Sequence, residues 1–163
     1  MRIITLSLLI TCMLAACAQS PEKQASTAEK NQSQEYTVTK SEAEWKAELS
    51  EQEYYVLRQK GTERAGTGDL LDNKKEGVYI CGACDNELYS SDTKFNSGTG
   101  WPSFYDCIEG AVQEKSEEGF DTRTEILCAN CGSHLGHVFN DGPQPTGERH
   151  CVNSVSLDFK EKK

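Results

Sequence analysis

Apolar residues fall along this chain in short groups, spaced first as in helices and later as in strands. Ser41-Glu42-Ala43-Glu44 and Ser50-Glu51-Gln52-Glu53 each set a serine three residues before a glutamate, the reciprocal capping pattern that starts a helix. The spacing predicts one helix over 41–48, with Trp45 and Leu49 inward, and a second over 50–58, with Tyr54 and Leu57 inward. After Gly61 the runs shorten and β-branched residues gather. Strands are expected at 77–80, 87–89, 111–113, 122–127 and 137–139, and along the run from Arg149 to Phe159, with Gly and Asn/Asp clusters between them. In that last run a period of two puts Cys151 and Asn153 on one face with Val155, Leu157 and Phe159. Helices first and short strands after indicate an α+β domain, mainly antiparallel β.

The first 39 residues follow a different pattern. Met1-Arg2 precedes an apolar run from Ile3 to Ala16, which has the length of a signal-peptide core and is too short to span a bilayer comfortably. Leu14-Ala15-Ala16-Cys17 resembles a bacterial lipobox. The resemblance implies cleavage before Cys17, lipidation of its thiol and an exported lipoprotein anchored on a membrane. The location would be periplasmic, or at the outer membrane, if the organism is Gram-negative; Ala18 stands where an aspartate would suggest inner-membrane retention. An ordinary secretory signal cut nearby is the alternative. Residues 17–39 are mostly Gln, Ser, Thr, Glu, Lys and Ala, too polar to fold, and are expected to form a solvated tether. The chain carries 17 basic and 26 acidic residues, a formal −9 that becomes −10 when the leader takes Arg2 with it. That charge argues against nucleic acid as a partner. The remaining 40–160 segment supports one modest core, expected to be monomeric.

Eight cysteines change the picture. Cys12 and Cys17 lie in the leader. Cys81-Gly-Ala-Cys84 and Cys128-Ala-Asn-Cys131 are paired knuckles, each offering two thiolates from one tight turn. Together they fit one structural Zn(2+) with a closed shell, which would staple a small twisted sheet; two structural disulfides are the alternative pairing. Cys107 and Cys151 remain. Arg149 and His150 precede Cys151 and would favour its thiolate, the reactive form.

Three more segments complete a pattern: Gly98-Thr99-Gly100-Trp101-Pro102-Ser103-Phe104; His134-Leu135-Gly136-His137-Val138-Phe139-Asn140-Asp141-Gly142-Pro143; and Arg149-His150-Cys151-Val152-Asn153-Ser154. Singly, Trp101 would read as core and Asp141-Gly142-Pro143 as a turn. Together with the knuckles they resemble the type B methionine-R-sulfoxide reductases from about Trp45 to Phe159. The resemblance implies a repair enzyme acting on oxidised protein substrates. Cys151 would attack the sulfoxide sulfur and become a sulfenic acid, the reversible step of thiol oxidation. His137, with His134 beside it, would move the proton that the sulfoxide oxygen needs. Asn153 and Asp141 would orient these groups, Arg149 would favour the thiolate, and Trp101 would receive the substrate methyl against its indole face.

The chain departs from the family in two places. Thr99 stands where many members carry a resolving cysteine, and Gly66 stands where an aromatic is frequent. The second step is therefore left open between Cys107, as a resolving thiol that hands a disulfide to a thioredoxin-like reductant, and direct reduction by an external thiol. Two other functions remain in view: a zinc-stapled binding module without catalysis, and a thiol–disulfide oxidoreductase using the knuckles.

Overall fold

The computed structural model describes residues 36–116 and 123–163. The leader, Cys17 and most of the tether lie outside the described residues, as does Thr122. Among the described residues no helix is long and apolar enough to cross a membrane.

Helices α1 (Glu42–Glu48) and α2 (Glu51–Leu57) begin where the serines predict. Ser41 and Ser50 each accept from the backbone N–H of the glutamate three residues on, and each glutamate reaches back to its serine's N–H. α1 buries Trp45, whose ring centre is 4.7 Å from the Lys40 ammonium and 5.1 Å from the Arg58 guanidinium. α2 buries Val56 and Leu57, while Tyr54 is only partly covered and donates from its hydroxyl to Glu42.

The strands are β1 (Gly77–Cys81), β2 (Glu87–Ser90), β3 (Lys94–Phe95), β4 (Ser103–Phe104), β5 (Val112–Ser116), β6 (Thr124–Cys128), β7 (His134–Phe139), β8 (Arg149–Val152) and β9 (Leu157–Glu161). They form two antiparallel sheets, in the orders β2-β1-β9 and β3-β4-β8-β7-β6-β5. Aromatic rings from both sheets meet in the core. Tyr89 of the small sheet stacks on Phe104 of the large one at 4.3 Å, and Tyr79 meets the same ring edge-on at 4.9 Å.

The α+β expectation holds, with three differences. The strands β3 and β4 escape prediction because two residues show no period. The run from Arg149 to Phe159 is two strands rather than one. β8 ends at Val152, a 3-10 turn takes Ser154–Ser156, and β9 begins at Leu157 in the other sheet. The period of two stops at Asn153, so Cys151 does not share a sheet face with Leu157 and Phe159. Residues 36–39, assigned to the tether on composition, lie against the domain. The Val38 N–H donates to the Asn130 carbonyl at 2.9 Å, and the Tyr36 ring covers Gly132 so closely that a Cβ there would meet it at 2.5 Å.

Candidate active site

β8 sits in the middle of the large sheet and carries Cys151. Its neighbours in register are Ser103 on β4 and His137 on β7. Cross-strand partners share a face, so His137 and Cys151 point the same way. The backbones of β7 and β8 approach so closely at Gly136 that a Cβ there would meet the Cys151 carbonyl oxygen at 2.0 Å. Trp101, His137, Phe139, Asn153, Thr62 and Cys151 line a cavity of about 100 Å³. A larger groove of about 560 Å³ also touches Trp101, but neither cysteine nor histidine lines it, which leaves the chemistry to the smaller one.

Burial pushes the Cys151 thiol above its ordinary pKa, and the Thr99 hydroxyl and the Arg149 guanidinium pull it back only in part. The Thr99 oxygen lies 3.9 Å from the Cys151 sulfur, at the end of a hydroxyl chain that runs from Ser103 through Ser97 at 2.7 and 2.8 Å. Arg149 divides its charge. It donates twice to Asp141, at 2.8 and 3.0 Å, and its guanidinium stacks 4.4 Å from the Phe139 ring centre. His150 does not help the thiol, contrary to expectation. As the next residue on a strand it faces the other way, into the core, where its Nδ1 meets the Tyr89 hydroxyl at 3.2 Å and burial lowers its pKa.

His134 is buried behind His137, with the two rings 5.4 Å apart. Its Nδ1 is 2.8 Å from Glu125, itself fully buried, and Lys60 completes the row at 2.5 Å. A carboxylate only accepts, so His134 carries its proton on Nδ1. Burial works to raise the Glu125 pKa, but the bonds from Lys60 and His134 outweigh it and leave that carboxyl below its ordinary value. Neither Glu125 nor Lys60 was foreseen from sequence, although a glutamate inside an otherwise buried strand, flanked by Thr124 and Ile126, is a readable signal. Asn153 is fixed on two sides: its Nδ2 donates to the Leu135 carbonyl at 3.0 Å and its Oδ1 accepts from the Glu63 N–H at 3.1 Å. The Trp101 indole N–H donates to the Glu63 carbonyl at 3.2 Å.

Cys107 has different company. It packs on the core beside Ile108, and burial and then the Asp106 carboxylate push its thiol pKa up, with Glu114 and Glu148 adding to the effect. None of these residues lines the Cys151 cavity.

The knuckles converge. The sulfurs of Cys81, Cys84, Cys128 and Cys131 all lie within 4.8 Å of one another, with 3.8 Å between Cys81 and Cys131 and 3.6 Å between Cys84 and Cys128. None is in a disulfide. Four thiolates about 2.3 Å from a central metal in tetrahedral array would stand roughly 3.8 Å apart, so the set can coordinate a metal ion. Amide donors from Asn86 and Asn130 approach Cys128 and Cys84 at 3.7 and 3.6 Å, as outer partners of thiolate ligands do.

Comparison with known proteins agrees with this geometry. The SelR domain model matches residues 49–161. A peptide methionine sulfoxide reductase MsrB from Methanosarcina barkeri is 62% identical over 125 residues, which cover 76% of this chain and 88% of that protein. One of the same name from Leptospira interrogans is 56% identical over 128 residues, covering 77% and 97%. A chloroplastic peptide methionine sulfoxide reductase B1 from Oryza sativa is 51% identical over 127 residues, covering 77% and 59%.

Proposed function

Because the chain belongs to the SelR-domain family, whose relatives are peptide methionine sulfoxide reductases, we propose that Cys151 is the nucleophile of this reaction and that the cavity beside it is where the oxidised side chain binds. The protein is a thiol-dependent reductase of methionine (R)-S-oxide in peptides. The observation that supports the assignment of its site is the shared face of Cys151 and His137 in one cavity with Trp101 and Asn153.

The substrate methyl packs on the Trp101 indole, which brings the sulfoxide sulfur to Cys151. The Cys151 sulfur gives two electrons to the sulfoxide. The oxygen ends on Cys151 as a sulfenic acid, the thiol proton goes to that oxygen through His137, and methionine leaves. An external thiol then attacks the sulfenic acid and releases water, and a second thiol frees Cys151. We assign reduction to an external, thioredoxin-like thiol because Cys107 sits in surroundings separate from the cavity.

Zn(2+) is the ion we assign to Cys81, Cys84, Cys128 and Cys131. Four thiolates close its shell, so it would hold the fold and not act on substrate. Facing sulfurs at ligand spacing also weigh against cycling of the knuckles as an oxidoreductase. We further propose export and anchoring through a lipid on Cys17, on the strength of Leu14-Ala15-Ala16-Cys17 and the polar stretch after it.

The test is reduction of peptide-bound methionine sulfoxide with dithiothreitol, the R and S epimers assayed separately, beside Cys151→Ser. Loss of the R epimer alone, abolished by the substitution, is the expected result. Turnover that survives Cys151→Ser overturns the nucleophile. Absence of turnover in a folded, zinc-loaded protein makes the binding module the better reading.

A further inference from the structure

Glu63 is a buried acid, 6% exposed, that the chemistry above does not use. Among the described residues its carboxylate takes no hydrogen bond from an ammonium or guanidinium. Instead it accepts from the backbone N–H groups of Ser154 at 2.6 Å and Val155 at 3.0 Å. These are the first N–H groups of the 3-10 turn that follows Cys151, and they have no partner inside such a turn. Asn153 stands at the cap position and makes no side-chain cap bond. A residue 91 positions earlier therefore does the capping.

That exchange has a consequence for the site. Relieved of the cap, the Asn153 amide turns to the Leu135 carbonyl and to the Glu63 N–H. Those two bonds settle which end of the amide is oxygen and which is nitrogen, and they leave one N–H of Nδ2 for the cavity. The Glu63 carbonyl holds the Trp101 indole N–H. Three residues on, the Gly66 N–H donates to the Gly100 carbonyl at 2.8 Å, and a Cβ on Gly100 would press on Ala65 at 2.9 Å. The loop around Glu63 is thus clasped to the Trp101 loop on one side and to the turn after Cys151 on the other.

We propose that Glu63 is a positioning residue of the reductase: its carboxylate locks the turn behind Cys151, and its main chain thereby sets Trp101 and Asn153 at fixed places around the nucleophile. It touches neither substrate nor sulfur. The inference rests on the reading of Cys151, Trp101 and Asn153 as the site.

The main-chain groups of residue 63 remain in any variant, but without the carboxylate anchor they are free to shift, so the side chain is tested through the order it imposes on them. Glu63→Ala loses both bonds to the turn. Glu63→Gln keeps one acceptor and turns an amide N–H toward the other donor. Full-length zinc-loaded proteins are compared for kcat and KM on a methionine-R-sulfoxide peptide with dithiothreitol, and for the pH profile of Cys151 alkylation by iodoacetamide. A displaced Trp101 raises KM and lowers kcat/KM, on the order of 10- to 100-fold in Glu63→Ala. Glu63→Gln falls between Glu63→Ala and wild type. The alkylation midpoint stays where burial, Thr99 and Arg149 together put it. A purely structural role would reduce the fraction of alkylatable enzyme and leave KM unchanged, and that outcome overturns the proposal. Wild-type kcat/KM in Glu63→Ala also overturns it, as does wild-type KM in Glu63→Gln if Glu63→Ala does not fold. Inactive wild-type protein removes the reading of the site itself, before any variant is compared.

Discussion

Glu125 is the sharpest place to perturb the histidine pair. In Glu125→Ala the buried Nδ1–H of His134 loses its acceptor, which costs about 1–3 kcal/mol. The Lys60 half of the interaction adds little, because 52% of that side chain's surface is exposed and its ammonium can turn to water. A loss of about 2 kcal/mol corresponds to roughly 8 °C in Tm for a domain of this size. Glu125→Gln should cost only about 1 kcal/mol, near 4 °C, since its amide oxygen still accepts from the buried His134, while the acceptor and charge lost are those facing Lys60, whose exposed ammonium can turn to water. Activity should follow the same order, because His134 packs on His137: about 10-fold lower kcat/KM in the alanine variant and a smaller loss in the glutamine variant. The assay is thermal unfolding with zinc present, paired with peptide sulfoxide reduction. The pH dependence supplies a check. A carboxyl whose folded pKa lies below its ordinary 4.5 stabilises above that value, and the contribution is lost as pH falls through the folded pKa. The gap between wild type and Glu125→Gln should therefore close below about pH 4.5. Equal losses in the two variants, or no loss in alanine, would refute the bonded row as drawn.

Other consequences can be checked singly. Cys81→Ser, or a strong chelator, should release metal stoichiometrically and lower Tm by well over 10 °C, since metal binding and folding are coupled; elemental analysis beside calorimetry measures both. Thr99→Val removes the hydroxyl beside Cys151, so the alkylation midpoint should move upward and alkylation at pH 7 should slow, as followed by mass spectrometry. His150 has a folded pKa below its ordinary 6.5. As pH falls through 6.5 the unfolded chain takes up a proton that the fold refuses, so stability drops toward the lowered folded value; His150→Phe should flatten Tm between pH 7.5 and 5.5.

Local pattern carried much of this molecule. The capping serines, both knuckles, and the motifs around Trp101, His137 and Cys151 are contiguous in sequence, so they can be picked out there, while the roles proposed for Trp101 and His137 come from the family resemblance. Glu63 and Lys60 could not be read, because what defines them lies 91 and 65 residues away. A glutamate between Thr62 and Arg64 looks like any surface glutamate. Nor did composition reveal the break at Asn153, because Val152 and Val155 flank it with strand-forming residues while the chain changes sheets. His150 was misjudged because adjacency in sequence on a strand means opposite faces.

That change of sheets has a bearing on how the protein is made. β1, which leads into the first knuckle, is the middle strand of its sheet, and one of its two partners is β9, about 80 residues further along the chain. Until β9 arrives, β1 and β2 are a lone hairpin, marginal in water. A growing chain therefore holds Cys151 and the knuckle cysteines before it holds the frame that places them. The four-cysteine cluster and the surroundings of Cys151 both depend on that pairing, so a chain that has not yet brought β9 to β1 is an ordinary polythiol, exposed to the same oxidants whose damage the folded reductase reverses.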